Sequence, residues 1–232
     1  MSTANDKCWN CQSALDEVLL CARCGMPQPV EFPDPFEAFG LAPRLSWDVT
    51  ELQNTYERLA LKCHPDLFRA HNDERVLKAS RLAMRSLNDA HRVLVDPVSR
   101  LRHVLNVSGH TGDLTRTIPQ ALEESAAIIG RVLQAVEKAT AVEDREAWES
   151  QQDHLASLEL QVEKAQRESD STLHRLMMEW DDAVAAADGD WPNMPDGWYE
   201  HAMRWLGERE YLQSLGRRVR AGRRWLVPTE QD

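Results

Sequence analysis

Two amphipathic helices meeting at a stiff turn constrain this chain more than any other feature. From Leu52 the apolar residues Leu52, Tyr56, Leu59 and Cys63 recur at helical spacing. Asp48 followed by Glu51 is a capping-box pattern, which predicts a start near Val49. The helix should stop at His64-Pro65, because proline has no backbone donor and a fixed φ. After the loop 64-HPDLFRAHND-73, a second helix is expected over about Glu74 to Val95, with Ala83, Leu87, Ala90 and Leu94 on one face. Asp96-Pro97 ends it, and 97-PVSRLRHVL-105 reads as a short third helix. The expected arrangement is an antiparallel helical hairpin whose connecting loop begins His-Pro-Asp.

Helical patterning also dominates the rest of the chain. Segments 119–140, 143–187 and 196–225 are expected to be helices, with breaks at Thr140 to Glu143 and at 188-DGDWPNMPDG-197. Long helices with short joints suggest an antiparallel three-helix bundle. The tryptophans Trp191, Trp198 and Trp205 read as large anchoring rings. Strand-like alternation is confined to 17-EVLLC-21, and no internal repeat is evident. The fold class is therefore all-α, with a small cysteine-bearing module in front. Proline-rich sequence between Pro27 and Pro35 marks a joint. The expected division is 1–32, 33–107 and 108–232.

Several classes of function are disfavoured. No apolar run approaches about 18 residues, so no membrane span is expected. No basic-then-apolar leader fits before Cys8 and Trp9, so a cytoplasmic location is the expectation. Residues 106–212 carry 9 basic and 22 acidic side chains, which is unlike a nucleic-acid binder. The basic residues Arg217, Arg218, Arg220, Arg223 and Arg224 fit a helix end whose cations complement the macrodipole.

Four of the five cysteines fall within 17 residues, as Cys8-x-x-Cys11 and Cys21-x-x-Cys24. Two such turns can close a tetrahedral sulfur shell, and Gly25 suits a tight knuckle. A segment this short cannot build a core, so a bound metal would supply much of its folding free energy. No extra ligand leaves an open coordination position, so one structural Zn2+ is expected. A redox dithiol and an oxygen-sensitive cluster remain open alternatives. Cys63 stands apart, as a small buried hydrophobe on the helix stripe.

At the corner, stiff Pro65 presents the His64 ring and the Asp66 carboxylate to a partner. Arg58 and Lys62, one turn apart on the preceding helix, form a basic edge suited to an acidic groove. No residue is assigned a catalytic role.

The hairpin with its His-Pro-Asp loop resembles the J-domain. The stretches 34-DPFEAFGLAP-43, 45-LSWDVTELQNTYERLALKCHPDLF-68 and 88-NDAHRVLVDPVSRLRHVLNVSGH-110 resemble the HscB family of iron–sulfur co-chaperones. The opening 8-CWNC-11 with its second C-x-x-C is similar to that family's zinc-bearing members, and 211-YLQSLGRRV-219 to its final helix. The resemblance implies a co-chaperone, not an enzyme. It implies that His64, Pro65, Asp66, Arg58 and Lys62 engage a DnaK- or HscA-type ATPase. It implies that the C-terminal bundle binds an IscU-like scaffold. The family opens that bundle with a Phe-Leu-Met/Ile-Glu type of motif, which is not recognisable in 118-IPQALEESAAIIGRVL-133. The client contacts expected there are Leu122, Ile128, Ile129 and Leu133. A J-domain co-chaperone with a different client is the alternative.

Overall fold

The computed structural model describes residues 7–109, 112 and 114–224. No β-strand forms among these residues, and the region around 17–21 contributes only an isolated bridge between Leu20 and Pro27. Two compact units are present, one of residues 1–111 and 177–195, the other of residues 112–176 and 196–232.

In the first unit, helix α1 spans Pro35–Phe39 and is capped by Asp34, which accepts from the Phe36 amide at 2.8 Å. Helix α2 spans Val49–Cys63, and Asp48 caps it by accepting from Thr50 and Glu51. Helix α3 is the single turn Pro65–Phe68. Helix α4 runs over Glu74–Val95 and α5 over Pro97–Val107. The bounds of α2 and α4 agree with the sequence expectation, because each end carries its own Asp cap or proline. Leu52, Leu59 and Cys63 of α2 are buried, as are Ala83, Leu87, Ala90 and Leu94 of α4. Tyr56 is only half-buried, with its hydroxyl donating to Asn88 at 2.8 Å and its ring 4.4 Å from that of His91. Phe36 and Phe39 complete the core from α1, and Leu101, Val104 and Leu105 from α5.

In the second unit, the expected helix over 119–140 is broken into α6, Gln120–Glu123, and α7, Ala126–Ala141. The next segment is also divided. Glu143 adopts a positive φ of 56°, and Asp144 caps a single turn, α8, over Arg145–Glu149. Helix α9 then runs from Gln152 to Ala186, and its last ten residues belong to the first unit. Helix α10 spans Trp198–Arg224, and the expected end at residue 225 lies outside the described residues. Helices α7, α9 and α10 share one core that includes Leu133, Val136, Leu155, Leu158, Val162, Leu212, Leu215 and Val219. Arg223 pairs with Glu159 and Arg209 with Asp170, so α10 runs antiparallel to α9.

Tryptophans fix this packing with their ring nitrogens. Trp198 donates to the Leu176 carbonyl at 2.9 Å, Trp205 to Ser169 at 2.7 Å and Trp148 to Gly222 at 2.8 Å. All three rings are buried, so each satisfies its one polar atom while filling the core. Gly207 allows a close approach of a different kind. A Cβ there would lie 2.2 Å from the Thr115 carbonyl oxygen. Gly207→Ala must therefore push backbone apart. It is expected to cost about 1–3 kcal/mol, as overpacking does, and to lower the midpoint of thermal unfolding followed by circular dichroism.

Candidate functional site

The corner after α2 is held between two buried anchors. Cys63, the last residue of α2, is fully buried, and its carbonyl accepts from the Ser80 hydroxyl of α4 at 2.6 Å. Phe68, the last residue of α3, is buried and lies 5.9 Å from the His71 ring. Between them, His64 leaves the helix with ψ 131°, while its amide still donates to Ala60 at 3.0 Å. Its Nδ1 accepts from the Asp66 amide at 3.3 Å and so caps α3, with Pro65 at the first helical position. The His64 and Asp66 side chains remain 52% and 59% exposed. Asp66 is not free, however, because Arg69 pairs with it at 2.9 Å. Sequence reasoning missed Arg69, although its i,i+3 spacing from Asp66 was available. Arg58 and Lys62 are both exposed on α2. The exposed leucines Leu61 and Leu67, also overlooked, lie in the same stretch, off the apolar stripe.

The four N-terminal cysteines converge. Their sulfurs all lie within 4.8 Å of one another, with Cys8–Cys24 and Cys11–Cys21 each at 3.7 Å. A tetrahedral zinc–thiolate shell with bonds of about 2.3 Å has edges of about 3.8 Å, so the residues present fit a metal ion held by four sulfurs. Two turns of the same geometry build the shell. In the first, the Gln12 amide donates to the Cys8 carbonyl at 3.0 Å, and in the second Gly25 donates to Cys21 at 2.8 Å. The residue after each pair is left-handed, Gln12 with φ 61° and Gly25 with φ 71°. Matching bridges flank them, Lys7 with Ala14 and Leu20 with Pro27. This duplication escaped the sequence because glycine occupies only one of the two left-handed positions.

Polar groups surround the sulfurs. Amides of Asn10 and Cys11 point at the Cys8 sulfur, as does the Gln28 side chain at 3.4 Å. The Ser13 hydroxyl lies 3.0 Å from Cys11 and 3.4 Å from Cys21. Hydrogen bonding to Ser13 draws the Cys21 thiol down to about 6 and also lowers that of Cys11, whereas burial pushes Cys24 up to about 11. Cys63 lies apart from the cluster, its thiol raised to about 12 chiefly by burial, as the reading of an inert core residue expects.

The chain is similar to proteins of known role. It is 30% identical over 140 residues to the co-chaperone protein HscB homologue of Vibrio vulnificus strain YJ016, spanning 56% of this chain and 81% of that protein. This chain belongs to the HscB co-chaperone family. A mouse relative, the iron–sulfur cluster co-chaperone protein HscB, is 30% identical over 111 residues, 44% of this chain and 46% of that one. No protein-family model matches the sequence. Among solved structures, human co-chaperone protein HscB superposes with a TM-score of 0.53 at 18% identity, over 94% of this chain and 98% of that one. Chaperone HscB from Vibrio cholerae does so at 0.50 and 22% identity, over 84% and 99%. These two likenesses are of fold, and they agree with the all-α architecture.

Within this HscB-family chain, the four expected client contacts do not share one surface. Leu122, Ile129 and Leu133 lie inside the bundle core, so their side chains are committed to packing. Ile128 alone is 50% exposed. The tryptophans of 188–205 anchor the structure as expected, with Trp198 and Trp205 buried and Trp191 set against Phe36, His103 and Trp180.

Acid should expel metal from the four thiols, since protons compete for thiolate. Ser13→Ala removes the hydrogen bond that lowers the thiol pKa of Cys11 and Cys21, so protons win sooner. Titrating the Co2+-loaded protein downward in pH should show the thiolate–cobalt absorbance vanish at a higher pH in Ser13→Ala than in the unaltered chain.

Proposed function

We propose that this protein stimulates the ATPase of a DnaK- or HscA-type chaperone and delivers an IscU-like scaffold to it for iron–sulfur cluster transfer. The observation that carries the reading is the exposed His64-Pro65-Asp66 corner, held stiff between buried Cys63 and Phe68 in a chain of the HscB family. The corner offers a hydrogen-bonding ring and a carboxylate on a backbone that cannot give way. Arg58 and Lys62 supply the charge that guides an acidic partner onto α2. The protein carries no chemistry of its own; the chaperone hydrolyses the nucleotide. Among the described residues no helix is long and apolar enough to cross a membrane. This reading places the protein in the cytoplasm, with a chaperone and a scaffold protein as its partners.

In this reading residues 1–32 form a metal module, residues 33–107 engage the chaperone and residues 108–232 bind the client. One structural Zn2+ is the ion that best suits four sulfurs with no open coordination position. The name of the mouse relative, an iron–sulfur cluster co-chaperone, supports the scaffold as client. A different client is the second reading, favoured by the burial of Leu122, Ile129 and Leu133 and by the unfamiliar opening of the bundle. Affinity capture with a purified IscU-like scaffold separates the two.

His64→Gln should leave the helical spectrum unchanged, because the side chain is exposed, and should abolish stimulation of ATP hydrolysis by the cognate chaperone. Full stimulation by this variant in a steady-state assay would sink the reading. Elemental analysis should find one zinc per chain. Cys24→Ser should lower that occupancy while the helical signal of the hairpin survives, because the hairpin has its own core.

A further inference from the structure

The cysteine module and the edge of α2 share one cleft. Asp16, Glu17 and Leu19 line it from the module, Phe39 from α1, and Arg58 and Leu59 from α2. Leu19, Phe39 and Leu59 are buried, so module and hairpin share an apolar floor. Two polar ties lie further along α4. The Arg75 guanidinium sits 5.3 Å from the centre of the Trp9 ring, and the Ser86 hydroxyl donates to the Val30 carbonyl at 2.8 Å.

Above that floor, charges of opposite sign face one another. Asp16 and Glu17 are exposed carboxylates of the module, and Arg58 is an exposed cation of α2. Among the described residues no ion pair within 4 Å joins them, so they act through solvent. The reach of Glu17 is felt at Cys63, the last residue of α2. After burial, its carboxylate is the next influence raising that thiol, and Lys62 opposes it. One acidic turn thus lies beside the basic edge from Arg58 to Lys62, next to the His-Pro-Asp corner.

We propose that the acidic turn Asp16–Glu17 masks part of the Arg58–Lys62 edge and thereby sets how strongly an acidic partner surface docks on α2. This rests on the reading of that edge as a chaperone-docking surface. The carboxylates lower the positive potential of the edge and repel an incoming acidic groove, both within a Debye length of about 8–10 Å. Exposed pairs of this kind change an equilibrium by about two- to five-fold.

The test is Asp16→Asn/Glu17→Gln, isosteric changes at exposed positions, with metal content and circular dichroism confirming an intact module. Affinity for the DnaK-type chaperone in its ATP state is measured at low salt and at about 0.5 M salt. The variant should bind about three-fold tighter at low salt. The gain should vanish at high salt and in an Arg58→Glu/Lys62→Glu background, where there is no cationic edge to unmask. Unchanged or weaker binding at low salt, or an equal gain in that background, overturns the proposal. Arg58→Glu/Lys62→Glu alone separates the two levels. If it leaves affinity untouched, the docking reading falls and masking falls with it. If it weakens binding while Asp16→Asn/Glu17→Gln changes nothing, docking stands and masking is refuted.

Discussion

The apolar seam between α2 and α4 is what the exposed corner depends on. Leu52, Leu59 and Cys63 on one side, and Ala83, Leu87, Ala90 and Leu94 on the other, bury a continuous stripe. With that stripe in place, the end of α2 has only one position, and the Ser80 hydroxyl ties its last carbonyl down. His64 and Asp66 then hold a fixed direction although both face solvent. Ordering a flexible exposed site on binding costs conformational entropy, and a corner ordered in advance avoids that cost.

A second restraint comes from far along the chain. Asp181, near the end of α9, is buried and accepts from the Leu45 amide at 2.6 Å, from the Ser46 amide at 3.1 Å and from the Ser46 hydroxyl. Arg44 approaches the same carboxylate at 3.5 Å. A buried carboxylate is tolerable only when its oxygens are satisfied in this way. Trp180, the preceding residue, donates to the Pro43 carbonyl at 2.7 Å. Together they clamp the segment that leads into α2. Nearby, Arg100 is buried and donates to the Trp47 carbonyl at 3.0 Å. Burial lowers its pKa, and the charges of Asp181 and Asp96 oppose that shift.

The cysteine module follows a different logic. It has few buried apolar residues, chiefly Leu19 and Leu20 beside its own cysteines. Order there comes from two matched turns that aim backbone amides at sulfur. The four sulfurs lie close enough together to hold a metal ion, and a metal bound there would add its binding free energy to the folding of the module.

Much of the fold was legible in the sequence because it is written locally. The bounds of α2 and α4 follow from Asp48, Asp73, Pro65 and Pro97, residues whose effects reach only a turn or so. The cysteine quartet was legible for the same reason, as spacing within each turn. Tertiary structure alone decided the rest. It broke the expected long helices at Glu124–Ser125 and around Ser150–Gln151, and it placed Leu122, Ile129 and Leu133 inside the core. It also brought Asp181 to Leu45, and Glu17 into one cleft with Arg58. An apolar or charged residue declares in sequence that it needs a partner. Which partner it meets depends on how distant segments pack, and a single chain's periodicity carries no record of that.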